Sequence, residues 1–217
     1  MNGKEAPNCR VLVFAKAPIP GQVKTRLVPL LGEEGASALF KRLVHHTLQV
    51  ATSTAGSQVE LWCSPCADHA FFADCAGRYR VRLRRQGQGN LGARLYAAAS
   101  ESLRSSAYVI IVGCDCPMLN PQDLDEARRA LADGADAVLG PAADGGYYLI
   151  GLRCCDARVF SDIDWGSEKV LDQTRERLND LKWTWQELDM RWDLDVPEDY
   201  ERFVSQGILL GEGCDTA

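Results

Sequence analysis

Carboxylates stand directly after or before strand-length and helix-length segments of this chain. Asp115 follows the apolar run 108–112, and Asp193 and Asp195 come just before the last helix-forming segment. Because residues i and i+2 of an extended chain point to the same side, Asp193 and Asp195 can face one ion. Mg²⁺ and Mn²⁺ beside a nucleotide use one or two protein carboxylates and take their other ligands from phosphate and water. The pattern therefore predicts a divalent-metal site of Asp115, Asp193 and Asp195, whereas the ordinary alternative makes them a turn residue and helix caps.

Three cations lie in the loop that follows the first apolar segment, between residues 16 and 26. Lysine supplies a mobile point charge, and arginine supplies a fork that matches phosphate oxygens. The loop has neither the glycine-lysine-serine of a P-loop nor a G-x-G-x-x-G, which excludes a Walker ATPase and a Rossmann dinucleotide site. We predict that it binds nucleotide phosphates through Lys16, Gly21, Lys24 and Arg26. The alternative is a solvated loop with surface cations.

A carboxylate and two glycines separate two apolar segments at Asp144, Gly145 and Gly146, and Tyr147 begins the second segment. A plain hairpin needs only the turn glycines. A carboxylate beside backbone that can take φ > 0, at the end of a strand, is a way in which α/β enzymes place a polar group against a ligand. The segment is therefore predicted to form one wall of a pocket.

A glycine-rich loop over residues 86–92 leads into a helix-forming segment. Glycines at the start of a helix let backbone N–H groups approach an anion, so Asn90 and Gly92 are further candidates for nucleotide binding. The alternative is a flexible turn between a strand and a helix.

Zinc-type ligands occur at short range in the sequence, at Cys63, Cys66, His69 and Cys75. Cys63 ends a predicted strand, whereas Cys66 and His69 fall where a helix begins, so Cys63 need not join the others. Small buried apolar side chains are the better account of these cysteines. No Ser-His-Asp or Cys-His combination is supported, so a covalent nucleophile is not predicted.

The elements that must position these residues alternate between strand and helix. Apolar residues from Ala36 to Ala51 recur with a 3.6-residue period, which predicts an amphipathic helix. The run 108–112 is apolar on both faces, as in a parallel sheet covered on both sides. We predict an α/β fold with a mixed, mostly parallel sheet flanked by helices. The chain is read as one domain over residues 1–217, with its core at 10–206 and a frayed tail at 207–217.

Composition limits the possible partners and location. The net charge is −6 and the pI is about 5.1, which disfavours a nucleic-acid partner because phosphate neutralisation needs a basic face. The apolar runs are strand-length, and the first residues lack the apolar core of a signal peptide, so no membrane span is expected. Nine cysteines without a secretion signal favour a cytoplasmic location with free thiols.

The motifs occur together in a familiar order: Phe14-Ala-Lys-Ala-Pro, Val-Lys24-Thr-Arg26-Leu, Gly113-Cys-Asp115-Cys-Pro, Asp144-Gly-Gly-Tyr-Tyr-Leu-Ile-Gly, Trp165-x-Ser and Asp193-x-Asp195-x-Pro-Glu-Asp. They resemble the bacterial transferases associated with radical-SAM/selenodomain proteins, which are also described as arsenosugar-biosynthesis glycosyltransferases. The resemblance runs from about residue 11 to residue 200 and implies the nucleotide-diphospho-sugar transferase fold, the A-type glycosyltransferase architecture. That transferase family is similar in turn to phospholactate guanylyltransferases and molybdenum-cofactor nucleotidyltransferases.

This resemblance implies roles for the candidate residues. The 16–26 loop lies over the nucleotide phosphates, Asp115 takes the metal-carboxylate position, and Asp193 or Asp195 completes that site. The acceptor is assigned to Asp144, Gly145, Gly146, Tyr147 and Trp165. One departure from the family bears on activity. In the family this loop usually reads Gln-Gly-Glu-Gly-Asp-Leu-Gly-Glu-Arg. Here Gln88, Asn90 and Ala93 replace its three acids.

The sequence therefore predicts a transferase that uses Mg²⁺ or Mn²⁺ and a nucleotide-activated donor. The leading hypothesis is glycosyl transfer from a nucleotide sugar to a small-molecule acceptor. Lys24 and Arg26 offset charge on the leaving phosphate, and Asp144 orients or deprotonates the acceptor hydroxyl. The close alternative is nucleotidyl transfer from an NTP with release of pyrophosphate. A third possibility, suggested by the altered 86–93 loop, is a non-catalytic nucleotide-binding protein; the oligomeric state is left open.

Overall fold

A seven-stranded sheet forms the centre of the computed structural model, which describes residues 8–54, 56–208 and 210. The strand order is β3-β2-β1-β4-β6-β5-β7. Strand β6 runs antiparallel to both of its neighbours, β4 and β5, and the other neighbouring pairs are parallel. The strands are β1 Cys9–Lys16, β2 Ser57–Ser64, β3 Arg82–Arg85, β4 Tyr108–Val112, β5 Ala137–Pro141, β6 Tyr147–Leu152 and β7 Trp185–Glu187. The predicted mixed, mostly parallel sheet is confirmed.

The described residues also form six α-helices and two short 3₁₀ helices, at Thr25–Leu27 and Ala157–Phe160; the last α-helix follows the last strand, and the others lie between strands. The helices are α1 Val28–Ser53, α2 Ala70–Tyr79, α3 Leu91–Leu103, α4 Pro121–Ala132, α5 Val170–Asp180 and α6 Pro197–Ser205. Gly32 interrupts α1 with φ 72° and ψ 168°. The predicted apolar stripe of this helix therefore begins only after the interruption, at Ala36.

The helices cover both faces of the sheet. Alternate residues of β1 divide between two apolar clusters, with Val11 and Val13 packed against α1, α2 and α4, and Leu12 packed on the side of α3 and α5. A third cluster joins α1 and α6 through Trp192 and Leu194, on the segment that precedes α6. This three-layer packing holds the carboxyl ends of the parallel strands together at one edge of the sheet.

Helix α2 continues to Tyr79, and Arg80 ends the helix in the left-handed region at φ 54°. In the tail, Leu210 is buried in the third cluster, while residues 209 and 211–217 lie outside the described residues. None of the described helices is both long enough and apolar enough to cross a bilayer.

Candidate active site

A cavity of about 510 Å³ opens at the carboxyl ends of β1, β3 and β4 and at the amino end of β6. This is the edge of an α/β sheet at which ligands bind. Seven of the candidate residues line it, namely Lys16, Lys24, Arg26, Asp115, Tyr147, Asp193 and Asp195. Chain segments far apart in the sequence therefore meet around one space of ligand size.

Lys24 lies at the centre of the charged side of this cavity. Its Nζ donates to Asp115 Oδ1 and, at 2.8 Å, to Asp195 Oδ1. Burial alone would lower the pKa of this amine, but the charges of Asp115 and Asp195 outweigh burial and raise its pKa, so the amine stays protonated. The backbone of Lys24 is left-handed at φ 47°, which is uncommon for a residue other than glycine. Backbone conformations of this kind cluster at functional sites.

Asp195 does not cap the last helix. The backbone N–H groups of Asp195 and Val196 both donate to Asp199 Oδ2 at 3.0 Å, so Asp199 supplies the cap of α6. The carboxylate of Asp195 is therefore free to face Lys24, and its Oδ2 lies 4.0 Å from Arg26 Nη1. The ordinary alternative of a helix cap does not describe this residue.

Asp193 is the least solvated acid in the cavity. Its Oδ1 is buried and has no hydrogen-bond partner within the described residues. Burial, followed by the charges of Asp115 and Asp144, raises the pKa of Asp193 to about 8, with Lys24 opposing the shift in part. A cation placed against this oxygen would satisfy it and favour the ionised carboxylate.

These residues fit a divalent cation that also uses ligand oxygens. Among the described residues, no group of three or more His, Cys, Asp or Glu side chains is arranged to hold a metal by itself. Mg²⁺ is commonly held by one or two carboxylates together with substrate phosphates rather than by a cage of protein ligands. The unpartnered oxygen of Asp193, beside Asp115, is the position that such an ion would complete.

The outer cations of the first loop are more solvated than Lys24. Lys16 is exposed at the end of β1, and the Arg26 side chain is 69% exposed above the cavity. Gly21 lies outside the lining and has φ 74°, and a Cβ there would come within 3.2 Å of the Glu33 carboxyl group. Gly21 thus shapes the loop, while the charged side chains are what the loop presents to a ligand.

Hydrogen bonds and close backbone packing hold the turn at Asp144. Asp144 Oδ1 accepts from the Gly146 N–H at 2.9 Å, and the Gly145 carbonyl accepts from the Leu171 N–H at 2.8 Å. Gly145 has φ 88°, and a Cβ there would lie 2.1 Å from the carbonyl oxygen of Glu168. These contacts place Asp144 at the rim, exposed, where its charge reaches Asp193 although it does not line the cavity.

Gln86 and Leu91 of the glycine-rich loop line the cavity, whereas the two candidate residues of the loop, Asn90 and Gly92, do not. Asn90 caps α3 by accepting from the Ala93 N–H at 2.9 Å, so the helix keeps its cap without the acid usual in the resembling family. A Cβ at Gly92 would lie 2.5 Å from the Phe160 carbonyl and 2.6 Å from Trp165 Nε1. Trp165 in turn meets the Tyr147 ring edge-on at 6.3 Å between centroids. Of Trp165 and Tyr147, only Tyr147 lines the cavity.

Sequence reasoning missed several residues that line the cavity, among them Phe14, Gln86, Arg94 and Tyr148. Gln86 Nε2 donates to the carbonyls of Ala15 and Trp62, and its Oε1 accepts from Arg94 Nη1 at 3.0 Å. No acidic side chain among the described residues pairs with Arg94. The available signal was the placement of Gln86 and Arg94 on either side of the glycine-rich loop.

The cysteine and histidine group does not form a metal site within the described residues. Cys63 and Cys75 are buried, and burial is the main cause that raises the pKa of each thiol to about 12. His69 caps α2 through Nδ1, which accepts from the Phe71 N–H at 3.2 Å. These cysteines act as small apolar side chains, and all eight cysteines in the described part of the chain are free.

The fold is similar to that of several solved transferases. A structure from Desulfovibrio desulfuricans G20, described as that of a proposed nucleotide-diphospho-sugar transferase, superposes with a TM-score of 0.84 at 28% identity, over 92% of this chain and 87% of that one. The 4-diphosphocytidyl-2C-methyl-D-erythritol synthase of Anaerococcus prevotii DSM 20548 superposes with a TM-score of 0.62 at 10% identity, over 93% and 99%. Glucosyl-3-phosphoglycerate synthase of Mycobacterium tuberculosis, solved with Mn²⁺, UDP and glucosyl-3-phosphoglycerate, superposes with a TM-score of 0.55 at 10% identity, over 93% and 77%.

These similarities confirm the predicted nucleotide-diphospho-sugar transferase fold, and the structural neighbours are transferases. No curated protein gives a significant match to the chain. Residues 47–167, more than half of the 217, match the family described as "Uncharacterized protein conserved in bacteria (DUF2064)". The matched range contains Asp115, Asp144 and Trp165 and leaves Lys24, Asp193 and Asp195 outside it. The chain therefore belongs to the DUF2064 family.

Proposed function

We propose that this protein is a metal-dependent transferase that moves a glycosyl group from a nucleotide sugar to a small-molecule acceptor. The observation that carries the proposal is the meeting of one buried ammonium, that of Lys24, with Asp115, Asp193 and Asp195 in a single cavity at the carboxyl ends of the strands. A nucleotide diphosphate can bind to positively and negatively charged side chains together, because its oxygens bind ammonium groups directly and bind carboxylates through a cation.

The donor would lie with its phosphates against the cations of the first loop. Lys24 is oriented by its two carboxylate partners, while Arg26 and Lys16 are exposed at the cavity and can turn towards a ligand. Fixed positive charge aimed at a leaving diphosphate lowers the barrier to its departure, because the charge on its oxygens increases in the transition state. These three side chains are the proposed donor-phosphate site.

Asp115, Asp193 and Asp195 are the residues that would hold Mg²⁺ or Mn²⁺. When bound, the ion would act as a Lewis acid on the diphosphate and offset its charge. Asp193 would be kept ionised by that positive charge, whereas in its absence the raised pKa favours the protonated acid. The M. tuberculosis neighbour was solved with Mn²⁺ and UDP, which supports a cation of this kind for the fold.

The acceptor would enter on the side of the turn at Asp144. This exposed carboxylate can accept a proton or a hydrogen bond from an acceptor hydroxyl. Gly145, Gly146, Tyr147 and Trp165 would hold that turn and shape the wall behind it. The resemblance to radical-SAM/selenodomain-associated, arsenosugar-type glycosyltransferases supports a small acceptor, and a nucleotide donor together with free thiols fits a cytoplasmic location.

Nucleotidyl transfer is the second candidate. The first loop supplies Lys16, Lys24 and Arg26, enough cations for a triphosphate, and a 4-diphosphocytidyl-methylerythritol synthase is among the structural neighbours. Release of pyrophosphate on incubation of NTPs with small phosphorylated or carboxylated acceptors would select this candidate over glycosyl transfer. A non-catalytic nucleotide-binding role is the third, and turnover of any donor, including slow hydrolysis of a nucleotide sugar, would reject it.

A thermal-shift screen of nucleotides and nucleotide sugars, with and without Mn²⁺, tests the donor class. We expect a nucleotide sugar to raise the Tm only when Mn²⁺ is present. Asp115→Ala should then abolish Mn²⁺-dependent binding of that ligand in calorimetry, because it removes a carboxylate and one partner of Lys24. Asp133→Ala is the matched control, since it removes one exposed acid at the end of α4, away from the cavity. Unaltered binding by Asp115→Ala would reject the metal assignment.

A further inference from the structure

We propose that Asp123 and Arg191 are a positioning pair, which holds the segment 191–195 so that Asp193 and Asp195 face the cavity. Neither residue lines the cavity. The inference rests on the proposed function only because that function supplies the ligand that Asp193 and Asp195 would face. The contacts of the ion pair with α4 and with the end of β5 set the placement of the segment whatever the ligand is.

Asp123 is a buried acid with both oxygens occupied. Its side chain is 3% exposed, in the first turn of α4. Oδ2 accepts from the Asn120 N–H at 3.0 Å, as part of the capping box of the helix, and Oδ1 accepts from Arg191 Nη2 at 2.8 Å. One carboxylate thus ties the start of α4 to a segment 68 residues further along the chain.

Arg191 is also fixed through its backbone. Its N–H donates to the Pro141 carbonyl at 2.9 Å, and its carbonyl accepts from the Ala143 N–H at 2.9 Å. These bonds attach Arg191 to the end of β5 and to the residue just before Asp144. Side chain and backbone together therefore fix Arg191 against two elements, at the point where the segment enters the site.

The segment beyond Arg191 alternates between core and cavity. Trp192 and Leu194 are 7% and 0% exposed in the third apolar cluster. Asp193 and Asp195, which alternate with them along the chain, line the cavity. Residues i and i+2 of an extended chain share a side, so Arg191 begins the same row as Asp193 and Asp195. The Leu194 N–H donates to the Asp115 carbonyl at 2.8 Å, which sets the segment against the loop after β4.

A rotation or one-residue slip of this short segment would exchange the apolar and acidic sides. Apolar packing of Trp192 and Leu194 opposes this, but apolar contacts are not directional. The hydrogen-bonded pair of Asp123 and Arg191 is directional, and an ion pair in the interior is costly unless its geometry is satisfied. The presence of this ion pair at the start of the segment is explained if it specifies the orientation of the segment more than it adds stability.

The double variant Asp123→Asn/Arg191→Met tests the inference on the full-length chain. It removes both charges together, so no unpaired buried charge remains, and the asparagine oxygen can still accept from the Asn120 N–H. The matched control is Arg175→Met/Glu187→Gln, which removes a two-bond arginine–carboxylate pair between α5 and β7 that does not line the cavity. Amide hydrogen exchange at Leu194 and binding of Mn²⁺ alone, followed by electron paramagnetic resonance, are the two readouts.

We expect the double variant to fold, to exchange the Leu194 amide at least about 10-fold faster, and to bind Mn²⁺ about 10-fold to 100-fold more weakly, the range found for residues that orient metal ligands. The control should change neither readout. Arg191→Lys, which keeps the charge but lacks the Nη2 donor that bonds Asp123, should fall between the wild type and the double variant.

Unchanged exchange at Leu194 in the double variant would overturn the inference. So would faster exchange with unchanged Mn²⁺ affinity, since the pair would then act only on stability. If the wild type itself binds no Mn²⁺, the proposed metal role fails, and the inference then stands only if the double variant exchanges Leu194 faster than the control does while the amides of β1 exchange unchanged, because a general loss of stability would speed both.

Discussion

Lys24→Met tests whether one ammonium holds the acids of the cavity together. In the wild type, Nζ donates to Asp115 and to Asp195, and the Lys24 side chain is 2% exposed. Methionine has a similar length and no charge, so it keeps most of the packing and removes only the ion pairs. The variant leaves Asp115, Asp193 and Asp195 in one cavity without their central cation.

The loss of stability expected for Lys24→Met depends on how exposed its two carboxylate partners are. A hydrogen bond to a charged group contributes about 1.5–3 kcal/mol to stability. The Asp115 and Asp195 side chains are 46% and 44% exposed, so water replaces much of what each loses. Removing the lysine also removes the cost of burying its charge. We expect a net loss of about 1–2 kcal/mol, which corresponds to a Tm decrease of about 2–8 °C for a chain of this size.

Mn²⁺ should reverse this loss. In Lys24→Met, the oxygens of Asp115 and Asp195 no longer serve the ammonium, so the ion meets less competition and more negative charge than in the wild type. At a free concentration about 100 times its Kd, a ligand adds about 2.7 kcal/mol to the free energy of unfolding. Scanning calorimetry should therefore show a larger Mn²⁺-induced rise in Tm for the variant than for the wild type.

Lys16→Met is the matched control, because Lys16 lines the same cavity, is exposed, and forms no ion pair within the described residues. It should change the Tm by less than about 2 °C, as expected for a surface substitution. The reasoning is refuted if Lys24→Met is as stable as the wild type and gains no more from Mn²⁺. That result would mean that the three acids do not act on a common cation.

Two further predictions concern the frame of the site. Gly145→Ala should cost more than about 3 kcal/mol in urea unfolding, because its Cβ would lie 2.1 Å from the Glu168 carbonyl. Gly166→Ala, at φ 87° with open space around it, should cost only about 1 kcal/mol; equal costs would contradict the steric argument. Asp136→Asn should cost about 1–2 kcal/mol near neutral pH, because Asp136 accepts from Arg153 and Thr184. Those bonds, that of Arg153 first, lower the pKa of Asp136, so its contribution is complete above the unfolded pKa of about 3.9 and is lost as the pH falls through the lower folded pKa. A difference between wild type and variant that persists at low pH would contradict this linkage.

Much of the frame could be predicted from local patterns. The run 108–112 is apolar at every position and forms β4 with those bounds, and the stripe from Ala36 to Ala51 forms the uninterrupted part of α1. The placement of Asp115 and of the 16–26 loop follows, because the carboxyl ends of parallel strands lie at one edge of the sheet. Local periodicity carries this information, since burial on one or both faces requires it.

Local spacing did not show which contacts some of the candidate residues make within the fold. Asn90 and Gly92 were candidates for a nucleotide, but one caps α3 and the other is packed beneath Trp165. The cap of α6 comes from Asp199, and this leaves Asp195 to Lys24. A spacing pattern shows which groups are near a site, whereas the choice among competing hydrogen-bond partners depends on their geometry in three dimensions.

What the sequence by itself determined is the alternation of strands and helices and the set of charged residues that end up at one edge of the sheet. Only the tertiary structure decided how these charges combine. Lys24 meets acids 91 and 171 residues away, and Arg191 meets Asp123 across 68 residues. Burial of Asp193 likewise depends on segments that pack from several elements. Such contacts set charge states and orientations through distance and desolvation, and neither quantity is encoded in local spacing.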